Sequence, residues 1–281
     1  MPAVSRRHRV RVALLAALAA GLLAASADAA PRPIYLALGD SVTFGYQEPG
    51  VVPSPRYGDA TSFVAYPELV GAALALKVVN AACPGETSAS LIDPSAPSLG
   101  CENRFRRAFP LHVRYRGGQL AFAVRYLRHH HRAVRLVSLM IGANDLFRCQ
   151  ATTADGCSAE LPRTLRRVGR NVRRIVAALR ARGHYRGRLA IVGYYALDYA
   201  SAVQRRIVAS LNATVRGAAR PFGIVVANGF GRLSAAARHS AGKSCDAGLL
   251  TQLGRPGKCG IHPSYPGQAL LALAVADALA R

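Results

Sequence analysis

Short unbroken apolar runs alternate along this chain with longer stretches whose apolar residues recur every three or four positions. Ile34–Leu38, Val78–Ala81, Val134–Ile141, Leu189–Val192 and Gly223–Ala227 have the length of buried strands. Between them the period changes. Phe63, Leu69, Val70, Ala73 and Leu74 fit one helical face, and Leu120–Leu127 predicts a second helix. Ser158–Arg182 predicts the longest. There Leu161, Leu165, Val168, Val172, Ile175, Val176 and Leu179 form one apolar stripe, with Arg163, Arg166, Arg167, Arg170, Arg173, Arg174 and Arg180 around the rest. Ala202–Ala219, a piece from Leu233, and Gln268–Leu279 complete the helices. Strands alternating with helices predict a mainly parallel sheet covered on both faces.

Three stretches break the pattern. Gln47–Ala60 is rich in proline and glycine and is expected to lie over the carboxyl edge of the sheet. Pro94–Gly118 is long and irregular, as functional or pinned loops are. Gly242–Gly260 reads as a loop bounded by cysteines. No internal repeat and no second domain is evident.

The first residues follow a different logic. Arg6, Arg7, Arg9 and Arg11 precede an apolar run, Val12–Ala25, too short to span a bilayer comfortably. Ala27-Asp28-Ala29 supplies small residues where a signal peptidase reads, so residues 1–29 are expected to be a signal peptide and 30–281 the mature domain, secreted to the extracellular space. Arg9 stands where a twin-arginine signal carries an apolar residue, which favours ordinary secretion.

Export changes the reading of the six cysteines. An even count in a secreted chain implies disulfides. Sequence order suggests three local loops, Cys83–Cys101, Cys149–Cys157 and Cys245–Cys259, among the fifteen pairings that six cysteines allow. The triplet His129-His130-His131 is expected to be a solvated helix end. No metal and no organic cofactor is expected.

Candidate chemistry sits at the ends of the strands. Gly39-Asp40-Ser41 follows the first; Asn80 leads through Cys83-Pro84-Gly85-Glu86-Thr87; Gly142-Ala143-Asn144-Asp145 follows another; His262-Pro263 precedes the last helix. In a parallel sheet the strand carboxyl ends share one edge, so the first three segments meet there. A serine oxygen, an imidazole and a set of N–H donors are what acyl transfer requires.

These four segments, in this order, resemble the blocks of the SGNH, or GDSL, hydrolase family, in particular its secreted esterase and lipase-like members. The resemblance runs from about Ile34 to Leu279. It implies a three-layer α/β/α sandwich with a mainly parallel, flavodoxin-like sheet of about five strands. It implies Ser41 as nucleophile, His262 as base, and an oxyanion hole made of the Ser41 N–H, the Gly85 N–H and the Asn144 amide. It implies a serine esterase acting on carboxylic esters through an acyl-enzyme, without cofactor.

One departure stands out. Family members usually carry an aspartate two or three residues before the histidine, and here those positions are Gly260 and Cys259. Three outcomes follow: a Ser–His dyad with a backbone carbonyl on the far ring nitrogen, a distant acid such as Asp246 or Asp198, or a crippled site. The dyad is the favoured expectation, with activity rising from mildly acidic to mildly basic pH. Asp40 is expected to be a turn hydrogen-bonder, Asp145 to hold its own loop, Glu86 to brace a helix start and Thr87 to support it. Tyr194 and Tyr195 are open between substrate wall and packing. Asn212-Ala213-Thr214 has the glycosylation pattern but lies in a predicted helix.

Charge raises a second class of function. The chain carries 37 basic against 14 acidic residues, a formal charge of +23. The arginines are spread over several helices and no aromatic-interleaved basic tract occurs, which argues against nucleic acid and leaves weak attraction to an anionic cell envelope. The expected partner is a small-molecule or lipid ester, and the chain is expected to act as a monomer. Alternatives are a non-catalytic envelope-binding protein on the same fold, and a deacetylase of acetylated polysaccharide.

Overall fold

The structure, a computed structural model, describes residues 32–255 and 257–281. The expected signal peptide lies outside the described residues. Among those described, no helix is long and apolar enough to cross a membrane.

Five strands form one parallel sheet in the order β2-β1-β3-β4-β5. They are β1 (Ile34–Gly39), β2 (Lys77–Asn80), β3 (Val134–Met140), β4 (Arg188–Val192) and β5 (Val225–Ala227). β1 is buried throughout and is a continuous apolar run; β3, buried except at Arg135, is interrupted only there and at Ser138. The sandwich expected from the sequence is the fold observed. The strand order reverses between β1 and β3, the crevice where open α/β sheets place ligands. Register makes the two strands end level, with Leu38 opposite Leu139 and Gly39 opposite Met140.

Helices cover both faces. On one side pack α1 (Tyr66–Ala73), α6 (Gly229–Ala237) and α7 (Tyr265–Ala280). On the other pack α2 (Gln119–His130), α4 (Leu161–Ala181) and α5 (Ala202–Ala219), with α3 (Ala143–Thr152) against α4. In α4 the stripe from Val168 to Leu179 is buried as its period requires, while Leu161 and Leu165 are only half-buried. Arg180 leaves the solvated set: its guanidinium donates to the carbonyls of Tyr185, Gly187, Phe222 and Gly223, tying α4 to the loops around β4 and β5.

Two departures concern the site. Phe63 is not on α1; it packs with Phe44, Phe105 and Leu111 in a second apolar cluster around Cys83 and Cys101. The stretch read as the loop Gly242–Gly260 contains β6 (Leu250–Gln252), which pairs antiparallel with β7 (Cys259–Pro263). β7 carries His262.

The three disulfides are Cys83–Cys101, Cys149–Cys157 and Cys245–Cys259. Each closes a local loop, of 18, 8 and 14 residues' separation respectively.

Candidate active site

The end of β1 sets the position of Ser41. Gly39 has φ +155°, and a Cβ there would lie 2.3 Å from Thr43 Oγ1 and 2.5 Å from Met140 O. The chain then turns into a single helical turn, Ser41–Phe44, capped by Asp40, whose Oδ1 accepts from Val42 N at 3.0 Å. Oδ2 accepts from the Tyr194 hydroxyl. Burial pushes the Asp40 carboxyl up to about 6, against the lowering effect of Tyr194 and Val42. Asp40 is thus held as a turn hydrogen-bonder, with both of its oxygens occupied.

His262 reaches Ser41 across 221 positions of sequence: Nε2 lies 2.9 Å from Ser41 Oγ. Its other nitrogen, Nδ1, lies 2.7 Å from Glu48 Oε1. That oxygen also accepts from the backbone N–H of Ile261 at 2.5 Å and of His262 at 3.1 Å, while Oε2 accepts from Thr251 Oγ1 at 2.6 Å. Because a carboxylate only accepts, Nδ1 carries the proton and Nε2 presents a lone pair to the serine hydroxyl. Burial alone would raise the Glu48 carboxyl. The bond and charge of His262, with Thr251, outweigh burial and bring it down to about 2.

This corrects the expectation of a dyad. The acceptor on Nδ1 is a carboxylate, and it comes from the loop after β1. Asp246 lies beside Lys243, and Asp198 accepts from Ala200 N at 2.7 Å; neither is the partner of His262. Gly260 explains the exchange of position. A Cβ on it would lie 2.2 Å from the Glu48 carboxyl carbon, so the empty side chain two residues before His262 is where the Glu48 carboxylate fits.

Gly85 and Asn144 stand on the other side of Ser41. Gly85 has φ +84°, and a Cβ would lie 2.6 Å from the backbone of Leu99, so only glycine fits. Among the described residues no acceptor takes the N–H of Gly85 or of Ser41. Asn144 Nδ2 donates to Glu86 O at 2.9 Å, which fixes the amide plane and leaves its second hydrogen free to point elsewhere. Ser41, Gly85, Asn144 and His262 all line one cavity of about 840 Å³.

A buried polar network holds these loops. Asp145 accepts from Ser88 N and Ser88 Oγ, both at 2.7 Å, and Asn171 of α4 donates to the same Ser88 Oγ. Gln119 bonds both backbone groups of Gly39 and donates to Glu86, whose other oxygen takes Ser90 Oγ. Thr87 joins through Ser90 and Pro97 O. Glu86 therefore braces the end of β1 against the Gly85 loop. Burial pushes its carboxyl up to about 8.

A family model for the GDSL-like lipase/acylhydrolase family matches residues 37–270. The chain belongs to that family. No curated protein sequence matches it. Among solved structures, this GDSL-like hydrolase is similar in fold to phospholipase A1 from Streptomyces albidoflavus, with TM-score 0.55 and 17% identity, covering 88% of this chain and 100% of that one. It is similar to an acetylxylan esterase from Geobacillus stearothermophilus, with TM-score 0.54 and 16% identity, covering 89% and 94%. Identities this low speak for the shared fold.

Two further residues of the GDSL-like hydrolase acquire definite positions. Tyr195 donates to Ile261 O at 2.7 Å, bracing the backbone beside His262, and with Tyr194 it lines the cavity. Asn212 bonds both backbone groups of Tyr194 at 2.8 Å, so its amide is engaged in structure. The histidine triplet at the end of α2 is exposed. Among the described residues the one group that gathers three ligating atoms is Cys83, Glu86 and Cys101, and both of its sulfurs are spent in a disulfide. Sequence reasoning missed Glu48. The available signal was its isolation: no other acid lies between Asp40 and Asp59, and the usual acid position before His262 is bare.

Proposed function

We propose that the protein is a secreted serine esterase that cleaves carboxylic esters through an acyl-enzyme on Ser41. The observation that carries this is the chain of contacts Ser41 Oγ–His262 Nε2, 2.9 Å, and His262 Nδ1–Glu48 Oε1, 2.7 Å. Ser41 Oγ attacks the ester carbonyl carbon while His262 Nε2 takes its proton. Glu48 holds the ring tautomer and stabilises the imidazolium. Negative charge on the former carbonyl oxygen is met by the N–H of Ser41, the N–H of Gly85 and the amide of Asn144. Collapse breaks the bond to the alcohol oxygen, which receives the proton from His262. Water, deprotonated by the same imidazole, then attacks the acyl carbon; the acid leaves and Ser41 recovers its proton.

The three disulfides support an oxidising destination. The test is hydrolysis of a short-chain nitrophenyl ester by purified protein. Turnover in the wild type that falls to background in Ser41→Ala, with covalent labelling of Ser41 by a serine-reactive phosphonate, is the expected result. Equal rates in the two proteins would overturn the reading.

A further inference from the structure

The cavity that opens at Ser41 is far larger than an acetyl group needs. At about 840 Å³ it falls in the range that encloses whole drug-sized ligands. Two helices present their faces to it at helical spacing. From α3 come Phe147, one turn beyond Asn144, and its neighbour Leu146; from α5 come Ile207, Val208 and Leu211. Apolar side chains dominate both walls; the polar ones besides Asn144 are Gln150, about one turn past Phe147, and Gln204, about one turn before Ile207.

Stereochemistry assigns the two sides of the cavity. The leaving alcohol must receive a proton from His262 Nε2, so it lies on the imidazole side. There Tyr46 packs edge-on to His262 at 5.1 Å between centroids, and Phe105 packs on Tyr46 at 5.7 Å. The acyl chain departs from the same carbon in a different direction. Asn144, an oxyanion donor at the start of α3, marks where the α3–α5 side begins.

We infer that the space between α3 and α5 is an acyl chamber, and that the substrates are esters of medium to long unbranched fatty acids, about eight carbons or more, in preference to acetyl esters. The inference rests on the proposed esterase reading for its chemistry and on the apolar cavity for its specificity. It departs from the acetylated-polysaccharide alternative: a glycan acetyl would leave the walls of α3 and α5 without a partner, facing water. Apolar walls gain from every methylene they take out of water.

Two measurements test it together. One is kcat/KM over a series of nitrophenyl esters from acetyl to dodecanoyl. The other is calorimetric binding of decanoate and acetate to the wild-type protein, which needs no turnover. Expected are a kcat/KM that rises at least tenfold from acetyl to decanoyl, and decanoate binding with none detected for acetate. Val208→Trp, which fills the α5 wall, is expected to lower the decanoyl-to-acetyl ratio about tenfold and to weaken decanoate binding. Leu146→Trp provides the same block from the opposite wall if the first variant does not fold. Hydrolysis of acetyl esters without decanoyl turnover or decanoate binding would overturn the chamber and leave the esterase standing. Decanoate binding that Val208→Trp weakens, in a protein that hydrolyses no ester, would support the chamber and remove the esterase.

Discussion

Glu48 does two things to His262, and substitutions separate them. Its Oε1 gathers three N–H donors, which fixes the ring; in the proposed mechanism its charge stabilises the imidazolium formed when Ser41 attacks. In Glu48→Gln the carbonyl oxygen still accepts from those donors, and the amide still faces Thr251. Geometry is kept and charge is lost, so kcat/KM should fall, though by less than when the acceptor is removed altogether. Glu48→Ala removes both and strands the N–H groups; a fall of about 10⁴-fold is expected. Steady-state rates across pH check both, and equal losses in the two variants would contradict the division. In the proposed mechanism Asn144→Ala removes an oxyanion donor, the amide that Glu86 O orients. It should cost about 10²–10³ in kcat with little change in KM. A loss confined to KM would mean that Asn144 contacts only the bound substrate.

At the scale of elements, β1, β3 and β4 were legible because burial on both faces leaves mostly apolar side chains to read. α4 was legible for the complementary reason, a regular period with a polar remainder. The hairpin β6–β7 was not: each strand is at most five residues, with polar and cysteine positions that carry no alternation. Glu48 was illegible in a stronger sense. It sits in a loop without periodic pattern, and its partner is 214 residues away. Yet the hairpin and the loop act as one element, since Val51 bridges to Leu253 and Glu48 bonds both β6 and β7. The exchange of acid position follows. Gly260→Ala should drive the Glu48 carboxylate off its seat and lower kcat/KM at least tenfold, although alanine is small. Glu48→Gly combined with Gly260→Asp places a carboxylate in the vacated space from the other strand, and should recover part of the activity lost in Glu48→Gly alone. No recovery, in a variant whose melting temperature matches the single mutant, would show that the loop position of the acid is itself required.

Over the whole molecule the buried carboxylates set a dependence of stability on pH. The Glu48 carboxyl is lowered to about 2 from 4.5, so the stability it contributes is present above pH 4.5 and is lost as pH falls toward 2. Asp40 and Glu86 have the opposite sign. Their carboxyls are raised, from 3.8 to about 6 and from 4.5 to about 8, so their contribution is full below the unfolded values and declines as pH rises through 6 and 8. The melting temperature should therefore be highest in acidic solution, near pH 4, and should fall toward basic pH. The loss belongs chiefly to Glu86, whose carboxylate is sealed between Ser90 and Gln119. Glu86→Gln keeps the shape and removes the charge. Its amide oxygen can accept from Gln119 and its NH₂ can donate to Ser90 Oγ. At pH 8 the variant should melt several degrees above the wild type; at pH 5 the difference should shrink toward zero, since the wild-type side chain is then neutral in the fold. Parallel melting curves of the two proteins at pH 5 and pH 8 decide the matter: an offset that does not change with pH would assign the effect of Glu86 to packing and not to its charge.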